Sequence, residues 1–98
     1  MKNLLLTLAL LVSFSSFGQT AEEYFSSGYY KAEAKDFYGA ISDYNKAIEI
    51  NPNYAGVYFN RALSKEFLGD LTGACADAKK AINLGSNSSV KWVASNCN

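Results

Sequence analysis

The chain has 98 residues, with nine basic and nine acidic side chains, no histidine and a formal net charge of zero. Without histidine there is no Ser-His or Cys-His pair for nucleophilic catalysis and no imidazole for a metal. Balanced charge without a basic run gives no basis for nucleic-acid binding by phosphate neutralisation, so no nucleic acid, metal or cofactor is expected and the chain reads as non-catalytic.

Residues 1–18 read as a secretory signal peptide, with an uncleaved N-terminal anchor as the alternative. Lys2 supplies the positive start, Leu4 to Phe14 is apolar apart from Thr7 and Ser13, and Ser16 and Gly18 give a small-x-small cleavage site before Gln19. The apolar run is too short for the roughly 20-residue helix that crosses a bilayer, so no stable membrane span is expected after cleavage. Export implies a periplasmic or secreted protein. The remaining 98 − 18 = 80 residues carry a net charge of 8 − 9 = −1. A domain of that size buries only about 60% of its unfolded surface, or slightly more, and is marginal without a staple or a partner.

Thr20-Ala21-Glu22-Glu23 has the form of a capping box and opens a helix over about 21–34. Lys35-Asp36 breaks it, and Asp36 caps a second helix over about 37–50. Asn51-Pro52-Asn53 ends that helix, because Pro52 has no amide hydrogen and its ring clashes one turn back. A third helix covers about 55–68. Gly69-Asp70 stops it and caps a fourth over about 71–84. Gly85 fits a left-handed C-terminal position, Ser86–Ser89 reads as a turn, and Val90–Ala94 as a short amphipathic end helix.

The second pair of helices repeats the first. Shifting 21–54 by 34 residues onto 55–88 aligns Ala21/Ala55, Tyr24/Tyr58, Phe25/Phe59, Lys31/Lys65, Asp36/Asp70, Gly39/Gly73, Ala40/Ala74, Asp43/Asp77, Lys46/Lys80, Ala47/Ala81, Ile48/Ile82 and Asn53/Asn87 without a gap. Those are twelve identities, where average composition gives roughly two. A period of 34 is that of stacked helix-turn-helix units. Gly28/Ala62 and the alanines at 40, 47, 74 and 81 let paired helices approach closely, while Tyr24, Tyr44 and Tyr58 fill the wider ends. Asp43 and Asp77 read as solvated residues, and Lys79-Lys80 as a last-turn pair favourable to the helix dipole. Cys75 and Cys97 leave two alternatives open: a disulfide closing a 22-residue loop, or one half-buried thiol and one free thiol on the tail.

With these residues in place the chain resembles the tetratricopeptide repeat family. The matching residues are Tyr24, Gly28, Ala40, Tyr44, Ala47 and Pro52 in the first unit and Tyr58, Ala62, Ala74 and Ala81 in the second. Ala78 and Ser86 depart from the family pattern, as a terminal repeat would. The resemblance implies an all-α fold: an α-solenoid of two repeats, 21–54 and 55–88, closed by a capping helix over 89–97. In that register Trp92 takes the aromatic position of a truncated third unit. The resemblance also places Cys75 facing the next first-type helix, where Cys97 lies, and so favours a clasp between them. The chain is similar to small exported bacterial proteins of this type.

The same resemblance implies a concave groove lined by the first helix of each repeat, at Glu22, Phe25, Tyr29, Ala32 and Glu33, then Gly56, Phe59, Leu63, Glu66 and Phe67, with Asn60 beside them. The protein-binding candidates are Phe25, Tyr29, Glu33, Phe59, Asn60, Leu63 and Phe67. The alternative for Phe25 and Phe59 is packing between repeats. Of the carboxylate-clamp residues found in chaperone-binding members only Asn60 matches, which argues against capture of acidic C-terminal tails. Two readings follow: an envelope or exterior module that binds a peptide or protein in the groove, and a self-associating structural module, a homo-oligomer without a peptide ligand.

Overall fold

The computed structural model of the protein describes residues 19–98. The expected signal peptide, 1–18, lies outside them. Among the described residues there are five helices and no strand: α1 Ala21–Glu33, α2 Phe37–Ile50, α3 Ala55–Phe67, α4 Leu71–Asn83 and α5 Ser88–Asn96. Each packs on its neighbour in sequence, and α1 also touches α3. The result is an all-α solenoid of two hairpins, α1–α2 and α3–α4, with α5 laid on the second.

The helix starts follow capping chemistry. The Thr20 hydroxyl accepts from the Glu23 amide at 3.1 Å. Asp36 accepts from the Gly39 amide at 3.0 Å, and Asp70 from the Gly73 amide at 2.9 Å. Each cap satisfies an amide that has no partner inside its helix.

The stops of α1, α3 and α4 share one geometry. In α1 the Lys35 amide donates to the Ala32 carbonyl and the Asp36 amide to the Lys31 carbonyl. In α3 the Gly69 and Asp70 amides donate to Glu66 and Lys65, and in α4 the Gly85 and Ser86 amides to Ile82 and Ala81. This paired closure needs a left-handed residue at its centre. Gly69 (φ 86°) and Gly85 (φ 101°) adopt it without strain, whereas Lys35 (φ 66°) adopts it against its own Cβ. The three helices therefore end one residue earlier than the sequence pattern predicts, because the expected last residue is half outside the helix.

Two apolar clusters hold the stack. The first joins Ala21, Ala40, Tyr44, Ala47 and Val57, with Phe25 and Tyr54 packed against it. Val57 is how α3 seals the first hairpin. The second joins Ala62, Ala74 and Ala78, covered by Phe59, Trp92 and Val93. The four repeat-equivalent alanines at 40, 47, 74 and 81 are fully buried, as close helix approach requires.

Gly28 has a specific cause. A Cβ there would sit 2.5 Å from Tyr44 Cε1. In the second hairpin Ala78 replaces the tyrosine, and the glycine position becomes Ala62. Gly28 with Tyr44 and Ala62 with Ala78 are two solutions to one packing problem.

Asp43 and Asp77 are not solvated, contrary to the sequence reading. Each is 6% exposed and ties the two helices of its hairpin. Asp43 accepts from the Ser27 hydroxyl at 2.6 Å and pairs with Lys31 at 3.0 Å. Burial alone would push its carboxyl up, but Ser27, Lys31 and Lys46 outweigh that and hold it below the usual carboxylate range. Asp77 receives two bonds from Arg61, at 2.7 and 2.8 Å, and pairs with Lys65 at 2.8 Å. Arg61 also donates to Asn45 Oδ1 at 2.8 Å, which links α2 to α3 across the repeat boundary.

The end helix starts earlier than expected. The helix begins at Ser88, two residues before the Val90 end helix read from the residues and one before the 89–97 capping helix that the resemblance implies, and Ser89 is fully buried. Ser86 Oγ lies 3.0 Å from Ser89 Oγ, so a serine cluster shapes the entry. Trp92 meets Phe59 edge to face at 6.4 Å. Cys97, just past the helix end, is joined to Cys75 by a disulfide, with Cα atoms 5.8 Å apart.

Candidate functional site

Three helices converge on one pocket of about 170 Å³. Helix α1 contributes Tyr29, Ala32 and Glu33, and α3 contributes Asn60, Leu63, Ser64 and Phe67. The spacings, i, i+3, i+4 and i+7, place each set on a single helix face. Phe37 and Tyr44, seven apart on α2, close the back. An adjoining hollow of about 290 Å³ continues past Glu33, Phe37 and Phe67 to Lys35.

The rim is aromatic and open. Phe67 is 70% exposed and stacks on Phe37 with ring centres 4.7 Å apart and planes 3° from parallel. Tyr29 is 45% exposed. Large apolar groups left in water at the mouth of a concavity usually mark a contact surface.

The floor is polar and unsatisfied. Tyr44 is fully buried, and its hydroxyl has no hydrogen-bond partner among the described residues. Burial, then the charges of Tyr29, Asp43 and Glu33, push its pKa up to about 12. The hydroxyl is therefore neutral at physiological pH. Two of the groups it feels, Tyr29 and Glu33, are themselves pocket walls.

Five of the sequence-derived binding residues meet here: Tyr29, Glu33, Asn60, Leu63 and Phe67. Asn60 Nδ2 donates to the Gly56 carbonyl at 2.8 Å. Phe25 and Phe59 lie elsewhere. Phe25 packs between Tyr44 and Tyr54, with ring centres 6.0 and 5.2 Å away, and Phe59 packs on Trp92. Both are partly buried seams between successive units, the alternative that their register allowed. Sequence reasoning did not place Phe37, Ser64 or Tyr44 at the pocket. Tyr44 reads as packing because it lies on the buried face, and only its missing partner distinguishes it from an ordinary core tyrosine.

A larger hollow of about 520 Å³ lies beside the disulfide, lined by Leu71, Thr72, Lys79 and Asn98 among others. It has no aromatic wall and no buried polar group lacking a partner. Among the described residues no group of three or more His, Cys, Asp or Glu is placed to hold a metal. Among the same residues no helix is long and apolar enough to cross a membrane.

Comparison with known proteins agrees with this architecture. A family model described as TPR repeat matches residues 21–66, and one described as tetratricopeptide repeat matches residues 55–86. A tetratricopeptide repeat protein 36 homolog of Nematostella vectensis is 48% identical over 50 residues, which are 51% of this chain and 28% of that protein. An uncharacterized protein of Methanocaldococcus jannaschii is 41% identical over 49 residues, 50% of this chain and 57% of its own length. The chain thus spans less than two thirds of either relative.

Proposed function

This chain belongs to the tetratricopeptide repeat family, and we propose that it works as an adaptor that holds a partner chain against the pocket between α1, α2 and α3. The family's repeats make protein–protein interaction modules, and its members are generally non-catalytic scaffolds. The observation that supports the pocket as the contact is the exposure of Tyr29 and Phe67 on its rim. Aromatic side chains around a desolvated centre are the usual energetic core of such contacts. The ligand that fits is an extended or helical segment with one side chain seated in the pocket.

The proposed setting is the cell envelope or exterior. The signal-like segment 1–18 and the Cys75–Cys97 pair support it, since disulfides persist in oxidising compartments. Affinity capture with the native protein as bait tests the contact. Tyr29→Ala combined with Phe67→Ala should cut recovery of the main partner by roughly 30-fold or more. These are exposed positions, so the melting temperature should change little. Undiminished recovery would refute the pocket as the contact and leave self-association or another face in its place.

A further inference from the structure

Helix α5 is fastened by a bond that a thiol can open. The helix has nine residues, fewer than the roughly 12–15 that an isolated helix needs to persist in water. Its helical state therefore depends on what ties it to α4. The ties are the buried Ser89, the contacts of Trp92 and Val93, and the Cys75–Cys97 disulfide. Beneath it lie Phe59, Ala62, Ala74 and Ala78, an apolar face that α5 covers. The ties between α1 and α4 are separate from it: the cluster around Tyr44 and Val57, and the ion pairs of Asp43 and Asp77.

The disulfide is within reach of a reagent. Cysteine is among the residues most often fully buried, yet neither Cys75 nor Cys97 is buried. Both line the hollow of about 520 Å³, several times the roughly 150 Å³ that holds a benzene ring. Exposed disulfides are the labile ones. Lys79 lines the same hollow. It follows Cys75 by four residues on α4, so the two side chains share a face with Cβ atoms about 5–6 Å apart. Among the described residues Lys79 has no ion-pair partner. A neighbouring ammonium favours a thiolate, which makes Cys75 the better leaving sulfur and Cys97 the sulfur attacked.

We propose that Cys75–Cys97 is a thiol–disulfide exchange site, and that opening it releases α5 and bares the face of Phe59, Ala62, Ala74 and Ala78 while α1 to α4 stay folded. The reductant is a dithiol. One of its thiolates attacks Cys97 Sγ, the S–S bond breaks, and its electron pair leaves on Cys75 Sγ beside Lys79. The second thiol, as a thiolate, attacks the reductant's sulfur in the mixed disulfide. That closes the reductant's own disulfide and frees Cys97. Two electrons pass from the dithiol to the cystine, and the two thiol protons end on Cys75 and Cys97.

Trp92 is the only tryptophan in the chain, so its emission reports on α5. The test treats the oxidised protein with dithiothreitol in the cold, well below its melting transition. Free thiols should appear at a rate proportional to the dithiothreitol concentration and unchanged by urea below the unfolding transition. Trp92 emission should shift to that of tryptophan in water, while far-UV circular dichroism keeps the signal of α1 to α4. Cys75→Ser combined with Cys97→Ser should show the shifted emission without any reductant. Lys79→Gln, at an exposed position, should slow reduction severalfold. A rate that levels off with dithiothreitol, or that rises with urea, would put the bond out of reach in the folded chain and overturn the proposal. Unshifted Trp92 emission after reduction, loss of all helix on reduction, or a rate unmoved by Lys79→Gln would overturn it as well.

Discussion

Tyr44 and Gly28 show how far one side chain can set its surroundings. The tyrosine ring takes the space of a Cβ at position 28. Gly28→Ala should therefore destabilise by about 1–3 kcal/mol through overpacking. Tyr44→Phe keeps the ring and removes the orphan hydroxyl, so it should raise stability by about 1 kcal/mol or leave it unchanged. Chemical denaturation of the two variants checks both signs. A loss of 1 kcal/mol or more in Tyr44→Phe would mean that the hydroxyl has a partner in the folded protein. The buried carboxylates carry the opposite expectation. Asp77→Asn removes the charge facing Arg61 and Lys65 in a largely dry site. It should cost about 3 kcal/mol in the same measurement, since breaking such a pair strands its partners. The recurrence of Asp43 and Asp77 was visible in the sequence, but their burial was not. A charge at a repeated position looks solvated until the cations one helix away are known to converge on it. Lys31, Arg61 and Lys65 do so across a turn, with the Ser27 hydroxyl beside Lys31, and no local pattern encodes that.

Helix boundaries were legible wherever a cap or a breaker marks them. Thr20, Asp36 and Asp70 act as the starts their side chains imply, and Gly69 and Gly85 as the stops. Lys35 is the exception, since nothing in a lysine announces a left-handed residue. Lys35→Gly should raise stability by about 0.5–1 kcal/mol by relieving that conformation, measured by thermal or urea unfolding. No gain would mean that the lysine stem compensates by packing. The start of α5 was missed for a related reason. Serine serves both turns and helix N-termini, and only the buried Ser89 contact separates the two. The disulfide fastens this short helix to α4. Closing a 22-residue loop contributes about 3 kcal/mol. Reduction should then lower the melting temperature by roughly 10–20 °C, and calorimetry with and without reductant checks it. An unchanged transition would show that Trp92 and Val93 hold α5 unaided.

At the scale of the whole molecule the 34-residue repeat determines the architecture, and the departures between its two copies determine where the surfaces differ. Tyr44 against Ala78, Phe37 against Leu71 and Glu33 against Phe67 are the same positions with different chemistry. The pocket is built from these differences: its floor and back come from the first copy, and Phe67 closes it from the second. The family resemblance placed Tyr29, Glu33, Asn60, Leu63 and Phe67 on a common side. It could not separate them from Phe25 and Phe59, because first-type helix positions only a few residues apart serve either the pocket or the seam between units. The packing partners decide that: Tyr44 and Tyr54 take up Phe25, and Trp92 of α5 takes up Phe59, contacts that exist only once the hairpins and α5 are assembled.

The central claim is that a partner chain lies against this pocket. Photocrosslinking in the producing cell tests it directly, with a photoreactive residue placed at position 67 on the rim and, separately, at the exposed position 49 on α2. The account predicts a discrete crosslinked product from position 67, absent from position 49 and lost when Tyr29→Ala is added. Equal products from both positions, or a product from position 67 that survives Tyr29→Ala undiminished, would contradict it.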